Sequence, residues 1–134
     1  MAEDRQFTLR IIAPDRIFYE GPVDMVEFNT TEGEIGILPC HIPLTVIISP
    51  GILNIHEADQ EKEAALHAGF AEILPHQVTI LAEIIEWPEE IDVQRAEAAL
   101  QRAQERLNSH APETDVLRAE ASLKRALTRI EALK

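Results

Sequence analysis

In the first two thirds of the chain, apolar and polar residues trade places every second position. Val23-Asp24-Met25-Val26-Glu27-Phe28 and Val78-Thr79-Ile80 are examples. A period of two turns one face of an extended strand inward and the other to water. Nine runs carry the pattern or its apolar variant: 7–12, 16–20, 23–28, 34–38, 44–48, 52–56, 64–68, 70–74 and 78–83. Turn residues separate most of them, at Ala13-Pro14-Asp15, Glu20-Gly21-Pro22, Glu32-Gly33-Glu34, Ser49-Pro50-Gly51, Ala58-Asp59-Gln60 and Pro75-His76-Gln77. Many short strands at that spacing predict an antiparallel sandwich or barrel. Strand order is not legible in the pattern.

Beyond Pro88 the period changes. From Asp92, a predicted N-cap, apolar residues fall at Val93, Ala96, Leu100, Ala103 and Leu107. The segment 108–114, with Pro112, interrupts the run. Asp115 then caps a second series at Val116, Ala119, Leu123, Ala126, Ile130 and Leu133. Spacings of three and four predict two helices joined by a polar loop, an αα-hairpin. The expected fold class is α+β in two segregated parts: a β-sandwich domain over residues 1–88, then a helical hairpin domain over 89–134. Six of the eleven stripe positions are alanine or valine. Alanine allows close approach but forgoes much of the ~1.5–3 kcal/mol that a buried large aliphatic side chain contributes. Helices of this length are marginal alone, so a thin seam predicts a hairpin that a competing partner can displace.

Charge sharpens the division. The net charge is −12, which argues against nucleic acid and anionic lipid as partners. Residues 1–88 hold four basic and fifteen acidic side chains, whereas residues 92–134 hold eight and seven. The single cysteine, Cys40, excludes an internal disulfide. The N-terminus is polar and acidic, unlike a signal or transit peptide. The longest stretch without formal charge, 35–55, holds three prolines and two glycines and cannot be a spanning helix. A soluble protein is expected, with no direct membrane insertion.

A family resemblance rests on particular residues. Glu32-Gly33-Glu34-Ile35-Gly36-Ile37-Leu38-Pro39-Cys40-His41-Ile42-Pro43-Leu44 resembles the signature loop of F-type ATP synthase epsilon subunits, usually EGELGILPGHAPL. Pro50-Gly51-Ile52-Leu53, Gly69-Phe70-Ala71-Glu72-Ile73 and Val78-Thr79-Ile80-Leu81-Ala82 resemble the family's later strands. Ile91-Asp92-Val93-Gln94-Arg95-Ala96 is similar to its hairpin-opening pattern, I/L-D-x-x-R-A. The likeness covers nearly the whole chain in order. Cys40 departs from a usual glycine, and His67-Ala68-Gly69 from a usual Ser/Gly-Gly-Gly.

The resemblance implies a sandwich of about ten strands at the base of the rotary enzyme's central stalk, contacting the gamma subunit and the c-subunit ring. It implies a hairpin that either folds on the sandwich or extends toward the alpha and beta subunits and blocks ATP hydrolysis. As one continuous helix, residues 92–134 would reach about 60 Å. It further implies a non-catalytic subunit, peripheral on the cytoplasmic face of a bacterial cell membrane, with no required cofactor.

Two sets of site residues follow. Glu34 and His41 match loop positions that face the c ring in the family; on their own residue types they read equally as a solvated strand-edge acid and a turn residue. In members that bind ATP as a regulatory ligand, the D-x-x-R-A motif and second-helix arginines form the site, which corresponds to Asp92, Arg95, Arg102, Arg125 and Arg129. Guanidinium groups on facing helices suit a phosphate chain, each offering two donors. A solvated basic face or cross-helix salt bridges would use the same residues. Arg125 and Arg129 lie four apart with no acidic partner in their own helix. Catalysis finds little support. No GxxxxGK[ST] loop occurs, Cys40-His41 lacks a third orienting group, and the strand histidines lack metal-ligand spacing. Two other readings remain open at this level: a free-standing ATP-sensing module, which would purify alone, and a small sandwich enzyme or sugar-binding domain, which would need a polar pocket in the sandwich.

Overall fold

The computed structural model describes residues 5–109 and 115–134. The predicted loop around Pro112 and the extreme N-terminus lie outside the described residues. Eight strands precede two helices: β1 Phe7–Ala13, β2 Arg16–Val23, β3 Met25–Thr30, β4 Gly33–Ile37, β5 Leu44–Ile48, β6 Gly51–His56, β7 Glu61–Ile73 and β8 Gln77–Glu86, then α1 Val93–Ser109 and α2 Val116–Ala132. The strands join in the order β2-β1-β8-β7-β5-β3-β4, and β6 closes the other side by pairing with β3 and β7. Every pairing is antiparallel except β1 with β8.

The described residues form eight strands rather than about ten, and one structural device reduces the nine apolar runs to eight. Runs 64–68 and 70–74 are not two strands; both lie in β7. Its first half pairs with β6 and its second half with β5, while β8 accompanies it from Ala65 to Ile73. Between Leu66 and Gly69 the register slips twice. His67 is left unpaired on β7 and Glu83 on β8, and the original register then resumes. Each extra residue reverses which side chains face inward. On β7 the inward set changes from Ala64 and Leu66 to Ala71 and Ile73; on β8 it changes from Val78, Ile80 and Ala82 to Ile85. The paired strands therefore serve both layers of the sandwich.

Gly69 makes the bend sterically feasible. Its φ of +142° is open to glycine and hostile to other residues, and an added Cβ would collide with the Leu81 carbonyl oxygen. Gly21-Pro22, expected as a turn, instead continue β2 opposite Thr8 and Leu9. β2 is the edge strand of the path, where proline is tolerated because no further ladder bond is needed.

The core is one cluster, dominated by Leu9, Ile11, Phe28, Ile37, Leu53, Ile55 and Ile80, and it includes no hairpin residue. The hairpin packs outside it. Ala65, on the opposite face of β7 from Ala64, joins Ile91, Ala96 and Ala132, flanked by Ile52, Ile130 and Leu133. Within the hairpin the predicted stripe is present, with Ala96, Ala103, Ala119 and Ala126 fully buried. Val93 and Val116, at the outer ends of the stripe, are exposed. Asp92 and Asp115 are the helix caps, accepting from the backbone N–H groups of Arg95 and Arg118 at 3.1 and 3.0 Å.

Gly69→Ala should lower unfolding free energy by about 2–4 kcal/mol in urea titration, since it combines backbone strain with a backbone collision. Cys40 provides the opposite case. It holds φ at +67°, a left-handed conformation costly for any side chain with a Cβ. Cys40→Gly should raise stability by about 0.5–1 kcal/mol, the relieved strain outweighing glycine's greater freedom when unfolded.

Candidate functional site

The two helices rest against the sandwich so that a cleft of about 300 Å³ opens at their junction. Glu86, Glu90, Ile91, Asp92, Arg95, Ala96, Ala99, Arg102 and Arg129 line it. Helical spacing explains the gathering on α1: Asp92, Arg95, Ala99 and Arg102 succeed one another at steps of three and four. Alanines at 96 and 99 keep the wall low. Arg129 reaches the same space from the last turn of α2.

The floor is set by Glu86. One of its carboxylate oxygens accepts from Arg129 Nε at 2.7 Å and from His67 Nε2 at 3.2 Å. Glu86 sits near the end of β8, His67 in the β7 bulge and Arg129 on α2, so a single oxygen ties sandwich to hairpin. His67 is 1% exposed. Burial first, and then the nearby Arg129 charge, push its imidazole below the ordinary range, against the opposing pull of Glu86. Next to the cleft the interdomain connection is anchored. Trp87 stacks on Phe18 with ring centroids 4.3 Å apart, and Glu90 binds Arg16 at 2.8 Å while accepting from the Trp87 N–H at 2.9 Å.

Four of the five residues expected at a regulatory phosphate site, Asp92, Arg95, Arg102 and Arg129, thus line one cleft. The fifth does not. Arg125 donates to Ser122 at 3.1 Å and lines a second cleft, about 430 Å³, together with Lys124, Glu120, Glu83 and His67. One turn of helix separates Arg125 from Arg129, and His67 of the β7 bulge lines the cleft of Arg125. Glu86, His67 and Glu90 carried no sequence signal as site residues. Their partners lie 43 or more positions away for Glu86–Arg129 and Arg16–Glu90, and 19 for His67–Glu86.

Glu34 and His41 line neither cleft. Glu34 is exposed on β4, and His41 sits in the β4–β5 loop, its Nδ1 donating to the Ile42 carbonyl at 2.7 Å. In the loop that carries His41, Leu38 and Ile42 are exposed at 58% and 73%. A further apolar band crosses the sheet. Register aligns Ile47, Phe70, Leu81, Ile12 and Ile17 on five successive strands, and Ile47, Phe70 and Ile17 are exposed. Among the described residues, no group of three or more His, Cys, Asp or Glu side chains is placed to hold a metal ion. No described helix is long and apolar enough to cross a membrane.

A sandwich carrying a hairpin docked through alanines and one ion-pair cluster defines a class of small two-part subunits, and comparison with known proteins gives that class its family. The model of the ATP synthase delta/epsilon chain β-sandwich domain matches residues 6–88, and that of the long α-helix domain matches residues 89–134. ATP synthase epsilon chains are similar along most of their length. That of Caldanaerobacter subterraneus is 50% identical over 105 residues, covering 78% of this chain and 76% of the relative. Those of Alkalihalophilus pseudofirmus and Bacillus subtilis are 48% and 44% identical, covering 75% and 79% of this chain and 76% and 80% of theirs. Among solved structures, a chain of the Euglena gracilis mitochondrial ATP synthase, from an OSCP/F1/c-ring structure, superposes with a TM-score of 0.85 at 25% identity, over 97% of this chain and 82% of that one. A chain from the Tetrahymena thermophila ATP synthase central stalk and c-ring shares the fold, with a TM-score of 0.62 at 12% identity over 96% of each. The chain belongs to the epsilon-subunit family of the F-type ATP synthase.

Replacing Glu86 with alanine should leave Arg129 and His67 without their shared acceptor, at a cost of about 1–3 kcal/mol to docking. Hydrogen exchange should then show α2 amides losing about ten- to a hundredfold in protection, with β1 and β3 unchanged.

Proposed function

We propose that this subunit couples and regulates its rotary enzyme without catalysing a reaction itself. The sandwich fastens the gamma subunit to the c-subunit ring, and the hairpin acts as a brake on ATP hydrolysis by extending toward the alpha and beta subunits. The carrying observation is the separateness of the two parts. The hairpin contributes nothing to the sandwich core and is held by an alanine-rich contact plus the Glu86 cluster. Such an element has two accessible arrangements with a modest free-energy gap, which a partner or ligand can bias. The exposed apolar band through Phe70 and the Leu38–Ile42 loop, which carries His41, supply two surfaces suited to protein partners. Through those partners the subunit sits peripherally on the cytoplasmic face of a bacterial membrane. Deleting residues 89–134 should leave assembly of the complex intact and raise its ATP hydrolysis several-fold. Unchanged hydrolysis would show that this hairpin is not a brake.

The regulatory ligand of this reading is ATP, held in the junction cleft by Arg95, Arg102 and Arg129. Three guanidinium groups facing one space fit a triphosphate, each supplying paired donors. Bridging α1 and α2 to the sandwich, bound ATP would favour the compact arrangement. Asp92 contributes by capping α1 and so orienting Arg95. Arg125 faces the other cleft and has a lesser part. Calorimetry on the full chain should give saturable ATP binding. Arg129→Ala and Arg95→Ala should each weaken it about tenfold or more, the loss of a charge-assisted pair, and Arg125→Ala distinctly less. No heat at millimolar ATP would remove this ligand from the scheme.

A further inference from the structure

Three polar side chains are buried among the described residues: Thr30, His67 and Thr128. Both threonines are satisfied, donating to the carbonyls of Gly33 at 2.7 Å and Lys124 at 2.8 Å. His67 is half satisfied. Its Nε2 meets Glu86, and its Nδ1 finds no hydrogen-bond partner among the described residues. Of the three, it alone titrates. Its place is also unusual, since it is the extra residue of the β7 bulge and lies under α2.

The charges around it come from two elements. α2 presents Arg129, Arg125, Lys124 and Glu120; β8 presents Glu86 and Glu83; the neighbouring β5–β6 turn contributes only Ile48 and Pro50. In the neutral form Nε2–H donates to Glu86 and the Nδ1 lone pair stays bare. A second proton would find no acceptor at Nδ1. It would also add a buried cation beside Arg129, which competes for the same Glu86 oxygen, and near Arg125. Lifting α2 away removes both arginines and returns the imidazole to water.

We propose that His67 is an acid-sensitive latch: protonation at Nδ1 releases α2, and with it the hairpin, from the sandwich. The docked state binds this proton less readily than the released state, in which burial and the Arg129 charge no longer hold the imidazole below the ordinary histidine value of 6.5. Docking is therefore at full strength above that value and is lost as pH falls below it, by at most tenfold per pH unit for a single proton. His56, at the edge of the sandwich, behaves oppositely. Hydrogen bonding to Glu27 at 2.6 Å, aided by Glu61 at 3.1 Å, raises its pKa, so mild acid reinforces that edge. Acid thus separates the two domains without loosening the sandwich at His56. The latch does not depend on nucleotide binding.

Hydrogen exchange of the full chain at pH 7.5, 6.5 and 5.5, corrected for intrinsic exchange rates, tests the latch. In the unmodified chain, α2 protection should fall by up to tenfold between pH 6.5 and 5.5, while β1 and β3 hold theirs. In His67→Gln, which keeps a donor for Glu86 but cannot titrate, α2 protection should be flat over this range. An acid response that persists in His67→Gln would overturn the proposal, because Glu86 or another carboxylate would then be the sensor. A flat unmodified chain would overturn it as well. If His67→Gln does not fold, NMR titration of the His67 ring in the unmodified chain decides. Titration below 6.5, in step with loss of α2 protection, supports the latch; titration at or above 6.5 refutes it.

Discussion

The double bulge in β7 and β8 is the constraint on which the rest of the molecule depends. Inserting His67 on one strand and Glu83 on the other reverses the inward phase of both, and the register between them survives. One ribbon can then line both layers of the sandwich. Without the reversal, Ala71 and Ile73 would turn to solvent while Phe70 turned inward. The bend also creates the seat for the hairpin. It leaves Ala65 and Ile52 on an outer face where Ala132, Ile130 and Leu133 can rest, and it carries His67 and Glu86 to the place where Arg129 arrives.

Docking is accordingly a compromise between two kinds of contact. The apolar part is small, three alanines with Ile91 buried and Ile52, Ile130 and Leu133 only partly covered, so it can separate at modest cost. The polar part concentrates two donors, Arg129 and His67, on a single carboxylate oxygen of Glu86. A buried or half-buried cluster of this sort is weak evidence for added stability, but it penalises the loss of any one member. That combination makes the hairpin's position sensitive to anything that competes for Arg129 or changes the charge of His67. Such sensitivity is a property expected of a regulatory element and a liability in a scaffold. The anchored Trp87–Glu90 connection confines any movement to the chain after it, since Phe18 and Arg16 hold that segment to β2.

Cys40 shows how a local departure from a family pattern acquires meaning only with a backbone attached. Its left-handed φ is the conformation that glycine adopts without cost, and its N–H donates to the Pro75 carbonyl at 2.8 Å, which holds the loop in that shape. His67, the other departure, is the more consequential. It replaces a position of small residues with a titratable ring in the bulge beneath the hairpin.

Periodicity by itself determined the division into strands and helices, both helix caps and most of the hairpin seam, because each depends on neighbours within four residues. Asp92, Arg95 and Arg102 were named as candidates by the family resemblance, and helical spacing places them on one face wherever the helix lies. Tertiary structure alone decided that Arg129 joins them and Arg125 does not, that two predicted strands are one, and that Glu86 holds the domains together. These outcomes depend on strand order, on a register slip and on pairings across tens of residues. Such contacts are selected by packing and solvation of the whole body, and no local pattern records them.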